Sequence, residues 1–190
     1  MRIVCGLGNP GARYRHTRHN VGFEICARLA ERMGVSFSQT KFSSDIAQGR
    51  VGDGAVLLMK PQTYMNKSGR AVAPVLNYYK LSPADLLVIH DDADLDPGRI
   101  LIKKGGGTAG HKGLNSIRNL LGNSDFDRLR YGVGRPDDAR MDLSDYVLAQ
   151  VSEEEKRFHE TRFEIAADAA WHWIVEGPDA AMNVFNSISQ

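Results

Sequence analysis

Short apolar runs that alternate with helical patterns restrict this chain to a layered α/β fold. Six runs of four to six residues have strand character: Arg2 to Leu7, Asp45 to Gln48, Ala55 to Met59, Leu86 to His90, Arg99 to Lys103 and Leu129 to Gly134. Glycines at positions 49, 52 and 54 indicate a hairpin, whereas helical patterns separate many of the other runs. The prediction is one α/β domain over residues 1–190, with a mixed central sheet flanked by helices in three layers.

Five helices are predicted from capping residues and apolar faces. They lie between Asn20 and Gly34, after Ser68, from near Gly110 to Leu121, from the capping box Ser152-x-x-Glu155 to Gly177, and from Pro178 to about Phe185. Pro74 interrupts the second pattern and predicts a late start or a kink. The long fourth helix is expected to bury Phe158, Ile165, Ala169 and Trp173.

The 190 residues carry a formal net charge of +1, but the charge is unevenly distributed. Residues 1–120 hold 17 Lys and Arg against 9 Asp and Glu, a net of +8, whereas residues 121–190 hold 7 against 14, a net of −7. Basic loops that gather on one face attract a polyanion such as a nucleic acid, although an ordinary solvated surface can be equally basic.

Two cysteines at apolar positions indicate a reducing compartment, and no apolar stretch reaches the roughly 20 residues of a membrane span. We expect a cytoplasmic protein without a membrane segment.

The segment GLGNPG, residues 6–11, has the glycine spacing of a dinucleotide-binding loop. That interpretation requires a helix directly after the third glycine and an acid about 20 residues on at the end of a second strand. Pro10 and the polar, basic residues 12–18 do not favour such a helix, and Glu24 falls inside a later helical pattern. A tight turn that presents Asn9 and His19 to a substrate is the preferred interpretation.

Polar side chains follow several predicted strands, where open α/β sheets place their ligands. The candidates are Asn9, His19, Asp91, His111 and Lys112, with Tyr64 and Asn66 in the segment KPQTYMNKSG, residues 60–69. A neutral histidine takes a proton from water, a carboxylate orients the imidazole, and asparagine side chains donate to a developing oxyanion. The set therefore suits hydrolysis of an activated acyl bond, although each residue has an ordinary structural alternative as a turn, cap or local hydrogen-bonding residue.

Other chemistries fit the sequence less well. DDADLDPG departs from a calcium loop in the position of its glycine and in having Lys103 at the last position. His16-x-x-His19 does not suit zinc, because no cysteine or further histidine lies nearby in sequence. GGGTAGHKG has His111 where a phosphate-binding loop needs lysine. The G-x-S-x-G nucleophile motif is absent. Each of these near-misses argues against a metal or a nucleotide cofactor.

Five segments in this order, spread over nearly the whole chain, resemble the bacterial-type peptidyl-tRNA hydrolase family. They are GLGNPG with TRHNVGF, KPQTYMNKSG, VIHDDADLDPG, GGGTAGHKGLNSI and RLRYGVGRP. The resemblance implies an enzyme of that fold, monomeric and without a cofactor. The implied reaction is hydrolysis of the ester between a peptide and the 3′ ribose of tRNA, which recycles tRNA after aborted translation.

The resemblance also assigns roles to individual residues. His19 matches the catalytic base and Asp91 the carboxylate that orients it. Asn9 matches the group that distinguishes a blocked aminoacyl group from a free one, and Asn66 the group that binds the peptide backbone or the oxyanion. Four further residues match positions that contact the tRNA: Tyr14 and Tyr64 along the path of its end, and Lys103 and Arg130 at its 5′ phosphate.

One residue departs from the family pattern. Many members have asparagine where this chain has Lys112, in the sequence GHKGL. Lysine keeps a donor and loses an acceptor, so Lys112 is expected to contact the tRNA end or its phosphate while the other residues keep the chemistry. A non-catalytic RNA-binding relative and a small-molecule esterase remain the alternatives.

Overall fold

Seven strands form one mixed sheet in a computed structural model that describes residues 1–138 and 140–187. The strands are β1 (Arg2–Gly6), β2 (Gln39–Lys41), β3 (Ser44–Val51), β4 (Gly54–Pro61), β5 (Leu86–Asp92), β6 (Ile100–Lys104) and β7 (Asp127–Gly132). Their spatial order is β2-β3-β4-β1-β5-β7-β6. The four central strands β4, β1, β5 and β7 are parallel, and β2, β3 and β6 add antiparallel edges.

Helices cover both faces of this sheet, which confirms the predicted three-layer α/β fold. They are α1 (Val21–Arg32), α2 (Gly69–Tyr79), α3 (Lys112–Leu121), α4 (Leu143–Leu148), α5 (Glu153–Glu176) and α6 (Pro178–Phe185). Buried residues of α1, α5 and α6 form one apolar core with one sheet face, and those of α2 and α3 form a second core with the other face. Within the described ranges, no helix is both long and apolar enough to span a membrane.

The glycine loop serves close packing between α1 and β1. A Cβ atom on Gly6 would lie 2.1 Å from the carbonyl oxygen of Gly22, and one on Gly22 would lie 2.4 Å from the backbone nitrogen of Leu7. Only glycine at both positions permits this approach, which brings the loop before α1 directly over the carboxyl end of β1. α1 begins at Val21, well after Gly11, so the dinucleotide-binding geometry is not formed.

Several predicted details were wrong. No sequence pattern predicts β2 or α4, because a strand of three exposed residues and a helix of six residues are too short to show a clear apolar periodicity. α2 begins where Ser68 indicates, so the late start predicted from Pro74 is wrong; Pro74 lies inside the helix at an exposed position. Phe158 is 45% exposed although its ring lies against the loop at Gly98, and the neighbouring His159 takes the buried position.

Candidate active site

A cavity of about 440 Å³ opens where the carboxyl ends of the parallel strands meet. The sheet brings most of the predicted site residues together there, although they are distant in sequence. Seven of them line the cavity: Asn9, His19, Tyr64, Asn66, Asp91, His111 and Lys112. The position agrees with the general rule that open α/β sheets bind ligands beyond the carboxyl ends of their strands.

His19 and Asp91 form a buried pair at the base of this cavity. Nδ1 of His19 lies 2.8 Å from Oδ1 and 2.9 Å from Oδ2 of Asp91. Because an ionised carboxylate only accepts hydrogen bonds, Nδ1 carries the proton and Nε2 keeps a lone pair. No hydrogen bond from the described part of the chain reaches Nε2, so this basic nitrogen is available to a molecule in the cavity.

His111 holds the same carboxylate from the other side. Its Nε2 lies 2.9 Å from Oδ1 of Asp91, while its Nδ1 accepts backbone N–H groups of Gly113 and Leu114 at 3.2 and 3.3 Å. His111 is thus the N-cap of α3, and the two N–H donors require an unprotonated Nδ1. The proton of this neutral ring lies on Nε2, where it is donated to Asp91.

Two imidazole N–H groups therefore converge on one carboxylate. Burial would raise the pKa of Asp91, but the electrostatic attraction of the His19 and His111 imidazoles, together with their hydrogen bonds, outweighs it and leaves the pKa well below its usual range. Asp91 is consequently ionised at every working pH. Ligand atoms of these three residues lie within 4.8 Å of one another, as in a metal site. Since both ring nitrogens that face Asp91 carry protons, the arrangement fits a hydrogen-bonded triad better than a set of metal ligands.

Asn9 presents its amide N–H₂ group to the cavity. The side-chain oxygen is already occupied, because it accepts the backbone N–H of Met65 at 2.8 Å. Asn20 fixes the backbone of Asn9 in both directions, accepting from its N–H at 2.9 Å and donating to its carbonyl at 3.0 Å. The sequence predicts Asn20 only as a helix cap; it makes no capping hydrogen bond and instead holds the loop that carries Asn9.

His90 was not identified from the sequence, since it lies at the end of an apolar strand pattern. Its Nδ1 donates to the backbone carbonyl of Asp91 at 2.7 Å, and its ring packs edge-on against His111 at 5.0 Å between centroids. Within the described residues, the buried Nε2 has no hydrogen-bond partner. Burial, followed by the electrostatic influence of the neighbouring His111 imidazole, lowers the pKa of His90 to about 3, so the ring stays neutral.

This low pKa predicts an acid-sensitive stability. A histidine with a folded pKa below its unfolded value of about 6.5 contributes most above that value, and stability falls by up to about 1.4 kcal/mol per pH unit between there and pH 3. We expect His90→Asn to flatten the dependence between about pH 7 and pH 5, measured as the free energy of unfolding in urea. Equal losses for the wild type and the variant over this interval would contradict the assignment.

The rim of the cavity is partly apolar. Leu143, Val147 and Leu148 of α4 form one wall, and Tyr64, which is 51% exposed, stands on another side. Lys112 is the first residue of α3 at the opening. Hydrogen bonds from Ser144 chiefly lower the pKa of Asp142, the N-cap of α4, and the charge of Lys112 contributes to the same shift.

Three predicted residues lie outside the cavity lining. Tyr14 is half-buried in the loop before α1, where Arg13 stacks on its ring at 4.5 Å and donates to its hydroxyl. Lys103 and Arg130 lie at the β6–β7 edge of the sheet, lining a second depression. The register pairs Leu101 with Arg130 and Lys103 with Arg128, which places both predicted cations on one sheet face.

Comparison with known proteins shows similarity over the whole fold. The peptidyl-tRNA hydrolase family model matches residues 3–190. A peptidyl-tRNA hydrolase of Syntrophomonas wolfei is 44% identical over 186 residues, covering 98% of this chain and all of the relative. A peptidyl-tRNA hydrolase from a Mycobacterium species is 48% identical over 186 residues, covering 97% of this chain and 96% of the relative. The crystal structure of peptidyl-tRNA hydrolase from Acinetobacter baumannii superposes with a TM-score of 0.90 at 34% identity, covering all of this chain and 96% of that one.

Proposed function

The chain belongs to the peptidyl-tRNA hydrolase family, and we propose that it hydrolyses the ester between a peptide and the 3′ ribose of tRNA with His19 as general base. The observation that carries this assignment is the free Nε2 of His19 in the cavity, opposite an Nδ1–H held by the ionised Asp91. Such a nitrogen accepts a proton from a water molecule at neutral pH, which is what an ester hydrolase without a nucleophilic side chain requires.

The reaction then proceeds in two steps at the ester carbonyl. Water attacks the carbonyl carbon while Nε2 of His19 takes one of its protons, giving a tetrahedral oxyanion and an imidazolium that Asp91 stabilises. The bond to the 3′ oxygen of the ribose then breaks, and the imidazolium returns its proton to that oxygen. The products are a peptide with a free carboxyl group and an intact tRNA with a 3′ hydroxyl group.

Two asparagines supply the donors for this chemistry. Asn9 presents a fixed N–H₂ group, because its oxygen is held by Met65, and Asn66 lines the same cavity with an exposed carboxamide. A donor aimed at a carbonyl suits the acylated nitrogen end of a peptidyl group, and it repels the ammonium group of an unblocked aminoacyl-tRNA. We assign Asn9 to this discrimination and Asn66 to the peptide backbone or oxyanion.

The remaining contacts serve the tRNA. Lys103 and Arg130 share one face at the β6–β7 edge and bind the 5′ phosphate, while Tyr64 on the cavity rim guides the 3′ end. Tyr14 lies farther out beside Arg13 and contacts the tRNA from the loop before α1. The family resemblance implies that the proposed enzyme acts as a monomer.

The test is release of N-acetyl amino acid from N-acetyl-aminoacyl-tRNA, with unblocked aminoacyl-tRNA as the control substrate. Turnover of the first and sparing of the second would support both the reaction and the role of Asn9. Salt-sensitive tRNA binding without turnover would instead indicate a non-catalytic RNA-binding protein. Turnover of simple esters at a rate that depends little on salt would indicate a small-molecule esterase.

Lys112 at the cavity opening provides a prediction about substrate binding. Its charge lies at the opening, where a phosphate near the tRNA end would enter, and the hydrogen bonds that hold Asp91 come from His19 and His111 and not from Lys112. Lys112→Ala is expected to raise KM by about 3- to 10-fold with little change in kcat. The slope of log affinity against log salt concentration should become shallower by about one, because one phosphate contact is lost. Lys156→Ala, at the start of α5, is the matched control. A fall in kcat at constant KM would refute this role.

A further inference from the structure

Asp91 is followed on β5 by a second buried carboxylate with a different set of partners. Asp92 points to the opposite side of the strand, because side chains alternate along β5. Its Oδ2 accepts a hydrogen bond from Nε of Arg130 at 2.7 Å, and its Oδ1 accepts the backbone N–H of Asp94 at 3.0 Å. Both oxygens are engaged, and the residue is only 8% exposed. Asp92 therefore has one fixed orientation.

These contacts keep the Asp92 side chain ionised. Burial would raise its pKa, but the hydrogen bonds from Arg130 and from the backbone of Asp94, with the charge of Arg130, leave the pKa lowered. The Asp92–Arg130 pair is thus an ion pair at neutral pH. The proton transfers at the ester involve His19 and Asp91 alone, so Asp92 has no part in them.

The ion pair controls what Arg130 presents to solvent. The carboxylate occupies Nε, and no hydrogen bond from residues 1–138 or 140–187 reaches Nη1 or Nη2. The side chain is 25% exposed, so both Nη groups remain accessible. A guanidinium held at Nε keeps its plane fixed and offers two outward N–H groups, the geometry that binds a phosphate through two hydrogen bonds.

Lys103 completes the arrangement on the neighbouring strand. It lies diagonally across from Arg130 on the same face, a relationship in which residues about 7–8 Å apart have side chains that can reach one ligand. Arg128, directly opposite Lys103, donates to the carbonyls of Gly106 and Gly107, both at 2.5 Å. The carbonyl groups of this glycine loop therefore occupy Arg128, and Arg130 and Lys103 remain as the phosphate ligands.

We propose that Asp92 is a positioning residue, which aims the guanidinium of Arg130 at the 5′ phosphate of tRNA and fixes that contact to β5, one residue from Asp91. The inference rests on the proposed function. It explains how a phosphate contact at the edge of the sheet is held at a constant distance from the ester: both carboxylates are rigid parts of one central strand.

The experiment compares two substrates, N-acetyl-aminoacyl-tRNA with a 5′ phosphate and the same molecule with a 5′ hydroxyl group. The measured quantity is the ratio of their kcat/KM values. Asp92→Asn keeps the size of the side chain but cannot accept both hydrogen bonds, so we expect the ratio to fall by about 10-fold, through KM, with kcat/KM for the 5′-hydroxyl substrate unchanged. In an Arg130→Ala background the same substitution should have no further effect.

Asp179→Asn is the matched control, because it removes an exposed carboxylate from Lys104 on the other face of the same strand as Lys103. It should leave the ratio at the wild-type value. An unchanged ratio in Asp92→Asn, or a loss of kcat on both substrates, would overturn the positioning role. A wild-type ratio of one would overturn the phosphate contact together with this inference, whereas absence of turnover on either substrate would refute the proposed function itself.

Discussion

His19→Ala is expected to lower kcat for N-acetyl-aminoacyl-tRNA by about 10²- to 10⁴-fold, the usual contribution of a general base. Its Nε2 is the one basic nitrogen of the triad that faces the cavity, since Nδ1 of the same ring and Nε2 of His111 both carry protons toward Asp91. KM should change little, because the lost interaction forms mainly in the transition state. Single-turnover kinetics at saturating enzyme measure the chemical step directly.

The control for this variant lies on the same loop. His16 is exposed, has a left-handed backbone with φ of 58°, and lies outside the cavity lining. His16→Asn keeps a residue that tolerates this conformation and should retain wild-type kcat. His19→Ala should also remain folded, since Asp91 keeps its hydrogen bond from His111. A folded His19→Ala enzyme with more than about a tenth of the wild-type kcat would contradict the assignment of the base.

Much of the fold was predictable because its signals are local. Each of the six longer strands was located to within a few residues, and the capping box at Ser152 and the glycine at 177 correctly bounded α5. Strand order was not predictable, since it depends on which apolar faces pack together. β2 and α4 were missed for a related reason: they are stabilised by pairing and by contacts across the chain, and their own sequences are too short to carry a clear periodicity.

The candidate site could be predicted as a set of residues but not as a network. The position of His19, Asp91 and His111 after strands indicated that they would meet, and they do. The sequence did not indicate that Asn20 would hold Asn9, that His90 would pack against His111, or that Asp92 would hold Arg130. These contacts join residues that are distant along the chain, and nothing in the local pattern of a buried histidine or aspartate identifies its partner.

Asp91→Asn is expected to lower kcat as strongly as loss of His19, by about 10²- to 10⁴-fold, because it forces a change of tautomer. Oδ1 of the carboxylate accepts an N–H from each imidazole, and Oδ2 lies 2.9 Å from Nδ1 of His19, so an asparagine in either orientation would aim an N–H₂ group at the Nδ1–H of His19. His111 cannot move its proton, since its Nδ1 accepts the N–H groups at the start of α3. His19 therefore takes the proton on Nε2 and loses the lone pair that accepts a proton from water.

A donor conflict at His19 has a consequence that mere loss of the Asp91 charge does not have. If the donor conflict causes the defect, removing the competing donor should relieve it, so Asp91→Asn combined with His111→Ala should recover part of the kcat lost in Asp91→Asn alone. The introduced carboxamide would then turn its oxygen to Nδ1–H of His19 and restore the reactive tautomer. Asp96→Asn, which alters an exposed carboxylate on the loop after β5, controls for charge. A double variant no faster than Asp91→Asn would show that the carboxylate acts through its charge on the imidazolium, because the correct tautomer alone would then not suffice.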